Sequence, residues 1–202
     1  MSNIVRGEYT VEHLRPNPER MPEFMAVWRQ VLAAAEAGDQ AEEQRLLQIE
    51  LRPFQTVESV ETFPNIVTNV GKNDILDKYL KGSSYTQTIV MGLAGAGTKA
   101  AGDTQASHAG WSEQGLANAP TYTGNRKAVT MGSASSQVST SPTQAFAITS
   151  SGTVAGCFIN NGGSATKDDT TGVLFSAGDF TGGSKTVANL DTLNVVYTLT
   201  AT

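Results

Sequence analysis

Three short stretches of this chain contain residue types that catalytic or binding sites use. The first, Gly92-Leu-Ala-Gly-Ala-Gly-Thr-Lys99, has glycines at phosphate-loop spacing. However, Thr98 precedes Lys99, which reverses the Gly-Lys-Ser/Thr order, and no helical pattern follows to direct an N-terminal dipole at a phosphate. We therefore interpret this stretch as a flexible loop that follows a strand.

The second stretch surrounds His108, one of two histidines in the chain. Asp103, Ser107 and His108 are the residue types of a catalytic triad, but a triad needs a base that a third group aims at the nucleophile. Groups this close in one polar loop rarely adopt that geometry, and no Gly-x-Ser-x-Gly elbow occurs in the chain. We expect a loop histidine held by backbone, and a protein that is not an enzyme.

The third stretch is Asp168-Asp169, which follows Asn160-Asn161 and could suggest calcium. EF-hand spacing is absent, so a solvated loop is the favoured interpretation and a loose calcium site the alternative. Two histidines and the single Cys157 lie too far apart for a zinc site, and the apolar neighbours of Cys157 indicate a buried side chain. We predict no metal and no cofactor.

Composition excludes several classes of partner. Charged residues make up 16% of the 202, against about 25% in ordinary domains. The net charge is −5 without a basic stripe, which argues against nucleic-acid binding and against a polybasic membrane surface. There is no run of 18 apolar residues, and the polar N-terminus lacks the apolar core of a signal peptide. We expect a protein that begins in the cytoplasm and binds neither nucleic acid nor membrane.

A change in composition near Phe63-Pro64 divides the chain into two parts. Residues 1–64 contain two of the twenty glycines, whereas residues 65–202 are rich in Gly, Ser and Thr. We predict an N-terminal arm with two short helices over 1–64 and a β-sandwich domain over 65–202. Residues 1–16 and 52–64 show no clear period and are expected to be extended arms, so that 65–202 would fold without them.

The helical signals lie within the first part. Asn17 is a cap before Pro18, Gly38 ends the first helix, and Asp39 caps a second that continues to about Leu51. One helical face carries apolar residues at i, i+3, i+4, i+7 and i+8. Helices this short need a surface to bury that face, which could be the β domain, a sister subunit or a larger partner, and we predict a partner interface. Its residues are Phe24, Val27, Trp28, Val31 and Leu32, with Trp111 as a further core or interface residue that could instead stack on a sugar.

The second part begins with a short helix and continues as strands. Asn73 is the expected cap and Gly82 the end of that helix, with Ile75, Leu76, Tyr79 and Leu80 as its buried face. Turn signals separate short apolar runs, which indicates an antiparallel sandwich of jelly-roll or immunoglobulin-like type. The strands are expected at 86–93, 121–131, 143–149, 153–160, 172–177 and 192–200.

Residues 65–202 also resemble small virion proteins of tailed bacteriophages. The order of short helix, strand, loop and strand series is similar, and the resemblance does not extend to residues 1–64. The motifs that carry it are Val70-Gly-Lys-Asn-Asp-Ile-Leu-Asp-Lys-Tyr-Leu80, Ala101-Gly-Asp-Thr104, Ser107-His-Ala-Gly-Trp-Ser-Glu113, Gly152-Thr-Val-Ala-Gly-Cys-Phe158, Leu174-Phe-Ser-Ala-Gly178 and Asp191-Thr-Leu-Asn-Val-Val-Tyr-Thr-Leu199.

This resemblance implies a structural role without catalytic residues. The favoured hypothesis is a decoration (cement) protein on the outer surface of the capsid, assembled in the host cytoplasm, which bridges capsomers by contacts to the major capsid protein or other virion proteins. The alternative is a tail or fibre component whose sandwich binds a receptor or glycan. A homo-oligomer is expected in either case, with dimer and trimer both open.

Overall fold

Two antiparallel β-sheets and a helical layer make up the protein. The computed structural model describes residues 5–84 and 88–201. The helices are α1 (Met21–Glu36), α2 (Gln40–Arg45) and α3 (Asn69–Tyr79), with 3₁₀ turns at Pro18–Arg20 and Arg52–Phe54 and a π-helical turn at Leu46–Glu50. The strands are β1 (Val5–Pro16), β2 (Gln55–Pro64), β3 (Ile66–Val67), β4 (Ile89–Ala94), β5 (Glu113–Gln114), β6 (Lys127–Val129), β7 (Val138–Thr140), β8 (Gln144–Ala147), β9 (Gly152–Val154), β10 (Gly156–Asn161), β11 (Val173–Asp179), β12 (Lys185–Val187) and β13 (Thr192–Ala201).

The first sheet joins the two ends of the described chain. Its strand order is β2-β1-β13-β7, and β8 also pairs with β13. The second sheet has the order β3-β11-β10-β4-β5, with β6 paired to β4, and β9 and β12 form a small separate ribbon. The protein is thus mainly β with antiparallel pairing, as the sequence predicted.

Strand β1 pairs with β13 through ten consecutive residue pairs, from Val5 with Ala201 to Leu14 with Thr192. Strand β2 pairs with the other edge of β1, with a register shift between His13 and Leu14. The expected extended arms are therefore strands of the main sheet, and the structure shows no free arm at residues 5–16 or 55–64. Gly7, Tyr9, Val11 and His13 are buried and alternate with more exposed residues, which is the period-two pattern of a strand, but the partner strand is almost 200 residues away.

A shared hydrophobic core lies between the two sheets. The first sheet contributes Tyr9, Val11 and Phe63, which are almost fully buried. The second sheet contributes Met91 and Cys157 among others. The prediction that Cys157 is buried is confirmed, and this burial raises the pKa of its thiol far above the usual range.

The helical layer covers the outer face of the first sheet at β8. Phe24, Trp28 and Val31 on α1 pack with the two alanines Ala145 and Ala147, which point away from the core between the sheets. The predicted cap of the second helix is confirmed, since Asp39 Oδ1 accepts from Glu42 N at 3.0 Å. Asn17 Oδ1 accepts from Glu19 N at 3.0 Å, but it caps the 3₁₀ turn that leads into α1 rather than α1 itself, whose cap position is Arg20. Gly38, with a φ of 72°, lies between the two helices as expected.

Side-chain amides from the helical layer hydrogen-bond the neighbouring strands. Gln44 Nε2 donates to Ala145 O at 2.8 Å, and its Oε1 accepts from Ala145 N at 2.7 Å. Gln40 makes the same paired contact with the backbone of Ala128, at 3.0 Å for both bonds. These amides satisfy strand groups on β8 and β6 as a neighbouring strand would.

A buried ion pair also joins the layer to the sheets. Lys127 Nζ lies 2.8 Å from both carboxylate oxygens of Glu43, and Thr123 Oγ1 donates to the same carboxylate. The side chains of Glu43 and Lys127 are 3% and 1% exposed. Burial lowers the pKa of the Lys127 ammonium, whereas the nearby Glu43 carboxylate favours its charged form.

Helix α3 differs from its predicted form. It begins at Asn69, and its cap is Thr68, whose Oγ1 accepts from Gly71 N at 3.0 Å, so the prediction of Asn73 as the cap is wrong. The predicted buried face is also wrong for Leu76, Tyr79 and Leu80, which are 53%, 84% and 71% exposed. The buried side instead includes Gly71, whose backbone lies against Phe175.

The predicted strands are found in shorter or divided form. Those at 143–149, 172–177 and 192–200 match β8, β11 and β13, whereas 153–160 is split into β9 and β10. Of 121–131 only β6 is a strand, and of 86–93 residues 86–87 lie outside the described residues. In the described part of the chain, no helix has the length and apolar character needed to cross a membrane.

We predict that a chain lacking residues 1–64 does not fold, in contrast to the expectation from composition. The truncation removes the ten-pair partner of β13 and takes Tyr9, Val11 and Phe63 out of the core. Circular dichroism and amide dispersion in NMR spectra, compared with the intact chain, measure the effect. A well-dispersed spectrum of the truncated chain would contradict the prediction.

We also predict that Glu43→Gln destabilises the protein by about 3–5 kcal/mol, because it leaves Lys127 buried without its counter-charge. Urea denaturation measures the loss. Glu42→Gln, which affects an exposed pair with Arg45, is the matched control and should change little. Replacing Glu43 and Lys127 together by Met should recover most of the stability, and equal stability of Glu43→Gln and the control would refute the prediction.

Candidate functional site

The residues predicted as a partner interface are mostly covered by the chain itself. Phe24, Trp28 and Val31 are at most 3% exposed because they pack on β8 and on the π-helical turn. Val27 is half-buried against the same cluster, and Leu32 is 39% exposed. The apolar face of α1 therefore has an intramolecular partner, and the interface prediction is corrected for the buried residues.

An exposed apolar surface occurs instead on α3. Leu76, Tyr79 and Leu80 form one stripe, since they are separated by three and four positions. Beside this stripe lies a cavity of about 400 Å³, and Tyr79 contributes to its wall. Its other apolar lining residues are Ile75, Ile89, Met131, Ile159, Phe175 and Leu199. Several of them pack on the core from its edge, so the core is open to the surface next to α3.

A second concave region lies between two loops, residues 103–118 and 164–171, and is named here the loop cleft. It has a volume of about 440 Å³. Its lining residues are Gln105, Ala106, Ser107, His108, Ala109, Trp111, Ser112, Glu113, Asn118, Asp168, Asp169 and Thr170. Unlike the cavity beside α3, the loop cleft combines carboxylates, hydroxyls and an aromatic stack, which are the groups that bind polar ligands.

The aromatic stack consists of His108 and Trp111, with ring centroids 4.1 Å apart. His108 Nδ1 lies 3.1 Å from Trp111 O and must carry the proton, because a carbonyl oxygen only accepts. Trp111 Nε1 donates to Asp103 Oδ2 at 2.9 Å. Trp111 is 6% exposed, so its ring is covered by His108 on one face and approached by Lys99 Nζ at 5.4 Å from the centroid.

Arg126 fixes the relative position of the two loops. Its guanidinium is fully buried and donates to both carboxylate oxygens of Glu113, at 2.9 and 2.6 Å. The same group donates to Ser164 O at 3.1 Å and to Asp169 O at 2.7 Å. Because a buried ion pair contributes little net stability but strongly constrains geometry, its effect here is to preorganise the cleft.

Two carboxylates of the second loop line the cleft. Asp168 adopts a φ of 61°, and its Oδ2 accepts from Ala117 N in the opposite loop at 3.0 Å. Hydrogen bonds from Thr171 lower the pKa of Asp169, so this carboxyl group is charged at neutral pH. Gln105 Nε2 donates to Asp169 O at 3.2 Å, whereas its Oε1 is buried without a hydrogen-bond partner among the described residues.

The triad-like residues do not form a relay. His108 is bonded to the backbone, as expected, and Asp103 is bonded to Trp111 rather than to His108. His13 lies in the first sheet, where its Nε2 is 2.8 Å from the buried Asp191 Oδ2. The described residues thus place the two histidines in structural contacts with no nucleophile between them.

The structure also shows what the phosphate-loop-like and calcium-like stretches do. Gly97, with a φ of 125°, packs so closely on Gly110 O that a Cβ would lie 1.8 Å from it, so this segment is a tight packed loop. Asn160 Oδ1 accepts from Gly163 N at 3.0 Å, and Asn160 is not among the residues that line the loop cleft with Asp168 and Asp169. No group of three or more potential metal ligands occurs among His, Cys, Asp and Glu at residues 5–84 and 88–201.

Sequence reasoning did not find Arg126 and Glu113. They are thirteen positions apart, and only the fold brings Ser164 and Asp169 to the same guanidinium. No spacing rule connects these positions. A weak signal existed in composition, because an arginine followed by a lysine at 126–127 is unusual in this charge-poor part of the chain.

Comparison with known proteins does not identify a relative. No family model matches the chain, no curated protein matches it, and no solved structure matches it.

We predict that Arg126→Lys loosens the loop cleft, because lysine cannot reproduce the paired bonds to Glu113 together with those to Ser164 and Asp169. Amide hydrogen exchange in 103–118 and 164–171 should accelerate by at least about tenfold. Protection in β13 should stay unchanged, which reports an intact fold, and exposed Arg45→Lys is the matched control. Unchanged exchange in both loops would contradict the assigned role.

Proposed function

We propose that this chain is a non-enzymatic structural protein of a tailed-bacteriophage virion, which decorates the outer capsid surface as a cement protein and bridges capsomers. The observation that carries the proposal is the apolar stripe of Leu76, Tyr79 and Leu80 beside the open end of the core. Contiguous exposed apolar side chains mark surfaces that bind other proteins, and aromatic residues dominate such contacts.

The resemblance of residues 65–202 to small virion proteins supports the same proposal, because α3 lies within that part of the chain. The major capsid protein is the proposed partner of the α3 surface. A homo-oligomer is proposed as well, since repeated copies on a symmetric shell let modest contacts act together. For the fold, we propose a sandwich of jelly-roll or immunoglobulin-like type, because the two sheets share one core.

The second candidate function is a tail or fibre component that binds a receptor. The loop cleft favours it, since two loops fixed by a buried guanidinium present several polar side chains. In a receptor-binding tail or fibre component, Trp111 would not stack on a sugar, because its ring is only 6% exposed and is covered by His108. His108 would be the accessible ring.

Cryo-electron microscopy of purified particles of the phage that encodes the chain tests both candidates. Density that repeats with the symmetry of the head is expected for a decoration protein. Density on the tail alone would overturn the capsid proposal in favour of the second candidate. If the chain were missing from purified particles, as measured by mass spectrometry, neither candidate would survive.

We predict that Tyr79→Ser combined with Leu80→Ser weakens attachment to particles that lack the chain by about thirtyfold or more, the loss typical of a hot spot. Because these side chains are 84% and 71% exposed, the fold should be retained. Ile49→Ser with Val60→Ser removes similarly exposed apolar groups elsewhere and is the matched control. Equal binding by the two double variants would argue against the α3 surface.

A further inference from the structure

We propose that the loop cleft is a binding site for a basic side chain, arginine by preference, that a partner protein presents. The cleft and the α3 surface are built by different residues. The proposal therefore goes beyond the virion role and holds for a capsid or a tail protein alike.

The charges around the cleft do not balance. Glu113 is paired with Arg126, and the ammonium of Lys99 is paired with Asp179. Asp168 and Asp169 line the cleft and form no salt bridge with any described residue, and Asp103 accepts a hydrogen bond from Trp111, which also lines the cleft.

The nearest remaining cation, Lys167, is turned away from the cleft. Its Nζ donates to Gly115 O at 3.0 Å and to Tyr122 O at 2.6 Å, and burial lowers its pKa to about 8. At a pKa of about 8 the Lys167 ammonium is still mostly charged at neutral pH. Even when it is counted, the carboxylates in and around the cleft outnumber the cations, so a net negative potential remains that attracts a cation. The carboxylates are Asp103, Glu113, Asp168, Asp169 and Asp179, and the cations are Lys99, Arg126 and Lys167.

The polar atoms of the cleft favour a ligand that donates hydrogen bonds. The carboxylates of Asp168 and Asp169 are acceptors. Asn118 Nδ2 uses one of its two N–H groups in a bond to Glu113 O at 3.0 Å, and its side-chain oxygen is a further acceptor. The buried Gln105 Oε1 adds a carbonyl dipole that no described donor compensates. Guanidinium carries five N–H donors in a planar fork and matches such a set better than a neutral hydroxyl does.

The stacked rings explain the preference for arginine over lysine. His108 is half-buried and covers Trp111 at 4.1 Å, so one imidazole face borders the cleft. A planar guanidinium stacks on such a face while it bonds to carboxylates, whereas a compact ammonium does not stack. Since Arg126 already holds both loops in place, binding needs little ordering of the cleft.

NMR titration of the full chain with Nα-acetyl-arginine amide tests the proposal. The expected result is a saturable shift of amide signals in 103–118 and 164–171, which weakens as salt is raised. Nα-acetyl-citrulline amide has nearly the same shape without the charge and should give no saturable shift. Nα-acetyl-lysine amide should bind more weakly than the arginine probe.

The double variant Asp168→Asn, Asp169→Asn removes both charges and keeps the geometry. Asparagine tolerates the left-handed backbone at residue 168, and its side-chain oxygen can still accept from Ala117 N. We expect affinity for the arginine probe to fall by about tenfold or more. Asp77→Asn, at an exposed carboxylate on α3, is the matched control and should bind as the unaltered chain does.

Three outcomes would overturn the proposal. The first is an equal response to the arginine and citrulline probes, and the second is unchanged binding by the double variant with its dispersed spectrum intact. The third is a saturable response of the same amides to methyl glycosides or to calcium chloride but not to the arginine probe, which would make the cleft a glycan or cation site. Each of these measurements uses the isolated chain. A negative result would therefore overturn the arginine site without affecting the virion proposal, which is tested by cryo-electron microscopy of particles.

Discussion

The pairing of β1 with β13 is the contact on which the rest of the structure depends. Ten residue pairs bring the first described strand next to the last, so the main sheet closes only when both ends of the chain are present. Strands β2, β7 and β8 attach to this pair, and the core between the sheets forms on its inner face. A contact between such distant positions is entropically costly to form first, and many apolar contacts must accompany it.

The helical layer depends on that sheet in turn. The apolar face of α1 is buried on the small side chains Ala145 and Ala147, while paired amide bonds from Gln40 and Gln44 satisfy strand groups that would otherwise lack partners. The buried Glu43–Lys127 pair adds little net stability, but it allows the layer to dock in one position. The layer thus protects part of the sheet rather than extending toward a partner.

The two proposed binding surfaces, both within the described residues, differ in physical character. The α3 stripe is apolar and lies beside an open end of the core, so its contacts would gain from removing apolar area from water. The loop cleft is polar and is held by one buried guanidinium, so its contacts would be directional and sensitive to salt. This division would let one surface supply affinity and the other supply orientation.

The sequence by itself determined the β class, the caps at Asn17 and Asp39, the buried Cys157 and the last strand, because each depends on a local pattern or on a residue's intrinsic preference. It could not determine that residues 5–16 enter the main sheet, since their partner is β13. Nor could it tell which face of α3 is buried, because apolar spacing shows that residues share a helical face but not whether that face points to the core or to solvent. Only the tertiary structure decided these points. It alone also brought Glu113, Arg126 and Asp169 together, because contacts between distant positions leave no periodic pattern in the sequence.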